Sequence, residues 1–207
     1  MNWLAHVFLS EPDVEFRLGN LLADIVKGSS RTGMSPAFLR GVQRHQAIDA
    51  FTDSHPIVRQ SRTRIGSEQR RFSAVLVDVF YDHFMALHWD RYSAVSLEAF
   101  TAGFYDDIRA SSVVLPEPAQ AVIDRIITHD LLGGYRRVEG VERSLRRLSI
   151  RLSERWHREF ALEKGVSDLL LQHAQFAEDF DGFFPELQAH VRKLGEAVQP
   201  PAESHRH

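Results

Sequence analysis

Apolar residues in this chain recur three and four positions apart and nowhere alternate in twos, so its periodicity is that of helices throughout. From Phe16 to Val26 they fall at Leu18, Leu21, Leu22 and Ile25, a short first helix. Ser35 followed by Pro36 is an N-cap and first-turn proline, and Phe38, Leu39, Val42, Ile48 and Phe51 carry that helix to about Asp53. Pro56 opens a short basic helix that Gly66 closes, and Ser67 has room to cap a long one running to about Trp89. Further helices are expected from Ser96 to about Val114, Ala119 to Leu131, Val141 to Phe160 and Ser167 to Leu194, the last with Pro185 as a bend. The expected architecture is all-α, a single-domain bundle of roughly seven or eight helices over residues 1–198, with 199–207 (QPPAESHRH) a disordered tail. At 207 residues, one core is the natural expectation.

Composition removes several chemistries. With no cysteine there is no disulfide framework, zinc ribbon or thiolate nucleophile, so any metal must take N and O ligands. The apolar run at the N-terminus is broken by His6 and then by Glu11, Pro12 and Asp13, which fits neither a signal peptide nor a membrane span, and a cytoplasmic protein is expected. A net charge of -3 gives no support to nucleic-acid binding. All but three of the 25 basic residues (Lys27, Lys164 and Lys193) are arginine. Arginine favours phosphate and carboxylate recognition, although a GC-rich genome produces the same bias.

In a helical chain the informative positions are polar residues where the pattern asks for apolar ones, because an unpaired buried charge is costly. Asp24 falls beside the stripe of Leu21, Leu22 and Ile25. His45 and Asp49 stack one turn apart in line with Val42, near Thr52 and Asp53, although Asp53 serves equally as a cap for the next helix. Asp78 and Asp82 repeat the four-residue spacing at the edge of the arc formed by Val75 and Val79, with His83 inside it, and His6 adds a further imidazole. Carboxylates and imidazoles aimed at one core would repel without a cation, and this ligand set suits manganese, iron or magnesium. A single inward histidine such as His83 also has the ordinary reading of a hydrogen-bonded core residue.

At these same residues the sequence resembles the acyl carrier protein phosphodiesterase family. The resemblance is carried by Asn2 to His6, Gly19 to Asp24, Gly41 to His45, Ile48-Asp49, Thr52-Asp53 and Asp78 through Phe84, closely over the first ninety residues. It continues more loosely through Tyr135, Glu139 to Glu142 and Arg151, with Trp3 where phenylalanine is common and Met85 where leucine is common. It implies a manganese-dependent enzyme that removes the 4'-phosphopantetheine arm from holo-acyl carrier protein, and a distant relation to HD phosphohydrolases. The adjacent pair here is Asp82-His83, the reverse of the His-Asp order, so HD ligand roles do not transfer by position.

On this reading Asp24, His45, Asp49, Asp78 and Asp82 hold a divalent metal in one pocket, with Asp24 also catalytic. The metal acidifies a water for in-line attack on phosphorus, and His83 or His6 protonates the departing serine oxygen. Arg59, Arg62 and Arg64, beside Arg70 and Arg71, together with Arg151, form the substrate-binding set for an acidic carrier protein. Two rivals remain at this point: a phosphohydrolase for a small nucleotide, and a helical metal- or haem-binding protein without catalysis.

Overall fold

The computed structural model describes residues 1–198; the segment 199–207, expected as a tail, lies outside the described residues. Among the described residues the chain is all-α with no strand, in ten α-helices: α1 Trp3–Phe8, α2 Val14–Leu22, α3 Pro36–Ser54, α4 Pro56–Thr63, α5 Ser73–Leu87, α6 Leu97–Ala110, α7 Glu117–Thr128, α8 Val138–Trp156, α9 Val166–Leu171 and α10 His173–Val198. Ser35 Oγ accepts from the Phe38 amide, the cap read from the sequence, and Ser96 Oγ from that of Ala99, at the helix start expected there.

The differences from expectation are local and have causes. A six-residue helix, α1, precedes the expected first one. It has no side-chain cap of its own; Asp82, far along the chain on α5, accepts from the amides of Asn2, Leu4 and Ala5. The long helix starts at Ser73 rather than Ser67, because the Gly66 amide donates to Asp168 and Arg70–Phe72 forms a 3-10 turn. The last expected helix divides at Gln172, whose side-chain amide donates to the Arg64 carbonyl, and α10 then runs through Pro185. Asp53 is not the cap of α4. His55 Nδ1 accepts from the Ile57 amide instead, and Asp53 pairs with Arg62.

At the centre lies α5, apolar all round rather than on one stripe: Leu76, Val77, Phe80, Tyr81, Phe84 and Met85 are all buried, the profile of a helix enclosed by others. It packs against α1, α4, α8 and α10. The tightest crossing is α2 on α3. A Cβ at Gly19 would fall 1.9 Å from the Phe38 carbonyl oxygen, and one at Gly41 would fall 2.1 Å from that of Phe16. Only glycine admits this approach, and it brings the last turn of α2 within reach of the middle of α3. No helix among the described residues is long and apolar enough to cross a membrane.

Candidate active site

The close crossing gives one residue, Asn20, two tasks. The carbonyls of a helix's last turn lack intrahelical partners. That of Asn20 takes the Nδ1 proton of His45 on α3, at 2.8 Å. Its side-chain amide donates to the His6 carbonyl at 2.8 Å and to Ser10 Oγ at 2.9 Å, which turns its oxygen toward His6 Nδ1, also at 2.8 Å. Both imidazoles therefore present Nε2, their rings stacked with centroids 4.1 Å apart. Fixing a histidine through its other ring nitrogen is the usual way to prepare it as a ligand.

Asp49 receives both nitrogens: His45 Nε2 is 3.1 Å from Oδ2 and His6 Nε2 is 3.3 Å from Oδ1. His6, His45 and Asp49 offer ligand atoms that all lie within 4.8 Å of one another. His45 Nε2 and Asp49 Oδ1 are buried yet have no well-aligned hydrogen bond. Burial in this structure forces such atoms either to find a partner or to await one. His6 Nε2 faces another acceptor too, the Met1 carbonyl at 3.2 Å, so lone pairs converge from three sides.

Electrostatics agree with the geometry. Burial opposes charge on His45, but its contacts with Asp24 and Asp49 outweigh this and carry it up to about 9. His6 is lowered, chiefly by burial and then by the adjacent His45, against the pull of Asp49, and stays neutral. Burial would raise Asp49, yet His45 and His6 hold it well below the carboxylate range, and His45 with Lys27 does the same for Asp24. With Lys27 2.9 Å from Asp24 and the Met1 α-ammonium 3.8 Å from Asp49, a proton on His45 completes the balance of the two acids.

These residues line a pocket of about 270 Å³. One wall is acidic: Asp24 at the exposed mouth, 3.6 Å from His45 Nε2, then Asp49, and Asp78 at 3.0 Å from the Met1 α-ammonium. Trp3, Leu21, Ile25 and Val75 make an apolar lining, and Arg125 of α7 with Arg147 and Arg151 of α8 line the pocket as well. A larger open groove of about 620 Å³ between α1, α3 and α10 has no imidazole, and its carboxylate, Glu11, is paired with Arg40 and Arg44.

Of the five residues expected to hold a metal, the pocket gathers Asp24, His45, Asp49 and Asp78 and does not include Asp82. Asp82 is fully buried behind α1 with its oxygens taken by three backbone amides, and burial pushes it up to about 7 despite them. It is a cap across the core. His6 lines the pocket, whereas His83 lies outside it with Nδ1 2.7 Å from the Tyr135 carbonyl oxygen, in the ordinary role of a satisfied core histidine. Arg151 lines the pocket, but Arg59, Arg62 and Arg64 do not. Arg62 is paired with Asp53, and Arg64 is held by Asp179 at 2.7 and 3.1 Å. Asn20, Arg125 and Arg147 were not singled out from the sequence. Arg147 and Arg151, one turn apart at the edge of the Leu145–Leu148–Leu152 stripe, carry the same kind of signal as the aspartates of α5.

An all-α chain whose buried imidazole–carboxylate set opens on a basic wall has the makings of an enzyme acting on anionic esters. A family model described as acyl carrier protein phosphodiesterase matches residues 1–187. Acyl carrier protein phosphodiesterase of Salmonella dublin is 31% identical over 196 residues, 93% of this chain and 98% of that protein. Proteins of the same description from Yersinia pestis (41% over 91 residues, 44% of this chain and 47% of that protein) and Serratia proteamaculans (38% over 117 residues, 56% and 58%) align over about half their length. The chain belongs to the acyl carrier protein phosphodiesterase family, a family of phosphodiester hydrolases by description. No solved structure matches it, and the implied distant relation to HD phosphohydrolases is not confirmed.

Proposed function

We propose that this protein is a metal-dependent phosphodiesterase that releases 4'-phosphopantetheine from holo-acyl carrier protein, and that His6, His45 and Asp49 hold the cation, with Asp24 and Asp78 beside it. The observation that supports this most is the pair of imidazoles whose Nε2 atoms are aimed at one carboxylate by a single residue, Asn20, with buried acceptor atoms left over. The donor set, two imidazole nitrogens and carboxylate oxygens, suits manganese or iron. A divalent cation there supplies Lewis acidity toward a phosphoryl oxygen and acidifies water at neutral pH.

The chain's own groups do the rest. Asp24, kept ionised at the mouth, can orient an attacking water by accepting its hydrogen bond, though it is too weak a base to take the proton outright. The water's oxygen joins phosphorus, the bond from phosphorus to the carrier's serine oxygen breaks, and that oxygen takes up a proton. His83 is outside the pocket, and His6, neutral and holding the cation through Nε2, has no proton to give, so the proton freed from the attacking water reaches that oxygen through solvent at the pocket mouth. Trp3, Leu21 and Ile25 offer the pantetheine arm an apolar lining. The basic face for an acidic carrier is α8, where Arg143, Arg147, Arg151 and Arg155 recur every fourth residue and run outward from the pocket.

The test is mass spectrometry of holo-acyl carrier protein incubated with the purified protein and manganese. Loss of the phosphopantetheine mass from the carrier is expected. An unaltered carrier together with cleavage of a free phosphodiester would move the reading to a small-molecule phosphohydrolase.

A further inference from the structure

Three carboxylates and three guanidiniums share one pocket, yet no aspartate of the acidic wall lies within 4 Å of Arg125, Arg147 or Arg151. None of these arginines has a carboxylate partner among the described residues, whereas Arg146, their neighbour on α8, is paired with Glu142. Arg147 Nη1 is buried without a hydrogen-bond partner. Burial first, and then Arg143 and Arg125, lowers Arg147 from its ordinary value; burial and then Arg125 do the same to Arg151. A pocket that gathers mutually repelling guanidiniums and withholds acids from them has room for an anion.

We propose that Arg125, Arg147 and Arg151 form a phosphoryl-anion clamp, with Arg147 the principal contact through its unpartnered Nη1. It rests on the functional reading above for the identity of the phosphoryl group, but not for the existence of the anion site. Arginine suits the task because its planar fork meets two oxygens of one tetrahedral anion. The arginines line the same pocket as His6, His45 and Asp49 but come from other helices, α7 and α8, so the clamp divides the oxygens of a tetrahedral anion between guanidinium and cluster. It should grip a dianionic phosphomonoester more tightly than the monoanionic diester. Product phosphopantetheine and inorganic phosphate then act as competitive inhibitors.

The experiment measures inorganic phosphate binding calorimetrically to the metal-free full-length protein and, in parallel, hydrolysis of holo-acyl carrier protein with manganese. Variants are Arg147→Ala, Arg147→Lys, the double Arg125→Ala with Arg151→Ala, and Arg59→Ala on α4 as control. The expected result is phosphate binding weakened about ten- to hundredfold by Arg147→Ala, partly restored in Arg147→Lys and unchanged in the control. KM should rise more than kcat falls. Phosphate binding that is absent from the wild type, or equal in all variants, overturns the clamp even if holo-acyl carrier protein is hydrolysed. Phosphate binding that falls with the arginines while no variant, nor the wild type, hydrolyses holo-acyl carrier protein upholds the clamp and overturns the functional reading.

Discussion

Two buried polar clusters draw on α5, and they are finished differently. In one, Asp179 of α10 accepts from Ser61 at 2.6 Å and from Arg64 at 2.7 and 3.1 Å, while the Tyr81 hydroxyl lies 2.7 Å from Ser61 Oγ. Each oxygen of that acid is partnered. In the other, to which α5 contributes Asp78, the imidazoles of His6 and His45 are aligned from behind and left open in front. Both bury charge, so burial of charge does not separate a site from a strut. What separates them is satisfaction: a closed network stabilises only itself, whereas an open, oriented one requires a further group.

The largest expected difference between them is in activity. His45→Ala or Asp49→Asn should lower kcat/KM for release of phosphopantetheine by about 10³-fold or more, the loss of roughly 4 kcal/mol of transition-state stabilisation. At pH 7 each variant also removes one partner of the His45–Asp49 ion pair and is destabilised in chemical denaturation, so activity is compared per folded molecule.

Asp179→Ala should spare activity. It leaves Arg64 and Ser61 unpaired in a largely buried setting, at a cost of about 3 kcal/mol in urea unfolding, while kcat/KM per folded molecule stays within about twofold of wild type. A comparable loss of turnover there would erase the distinction between the clusters.

Asn20→Ala sharpens it further. The backbone contact to His45 survives and the side-chain contact to His6 does not, so the expected drop in activity is about 10- to 100-fold, smaller than that of His45→Ala. Equal losses in the two variants would show that the amide does not work through one imidazole.

Smallest is the effect of surface charge. Arg143→Glu with Arg155→Glu on α8 should raise KM a few-fold at low salt and less at about 0.15 M, because exposed charges are screened there. Arg59→Glu with Arg62→Glu on α4 should change KM less than twofold at either salt concentration. The opposite ranking in steady-state kinetics would return the docking face to α4.

The helices were legible where the information is local. Ser35-Pro36 and Ser96 announce their own helix starts, and the apolar stripe of α3 brought His45 and Asp49 into view together. α1 could not be read in this way, since its cap, Asp82, lies some eighty residues away. The same fact explains the misplacement of Asp82: spacing from Asp78 puts both at the edge of one helical arc, but 400° of rotation over four residues still separates them by about 40°. Asp78 thereby reaches the pocket and Asp82 the underside of α1. Periodicity also cannot tell an arginine that is locked to a partner from one without a carboxylate partner, which is why Arg64 was expected in the substrate-binding set and Arg147 was passed over.

The most direct test of the open cluster is calorimetric titration of manganese into the purified protein, in buffers of differing ionisation enthalpy, for wild type, His45→Ala, Asp49→Asn and Asp179→Ala. With His45 carried to about 9, the metal-free protein holds a proton there at pH 7 that the cation must displace. That ion pair contributes stability complete below pH 6.5 and lost as pH rises through about 9, so metal affinity should climb roughly tenfold per pH unit over that window. The account predicts one site, release of close to one proton at pH 7, at least about 100-fold weaker binding in the two pocket variants and unchanged binding in Asp179→Ala. Manganese that binds His45→Ala and Asp49→Asn as tightly as wild type, or fails to bind the wild type at all, would contradict it.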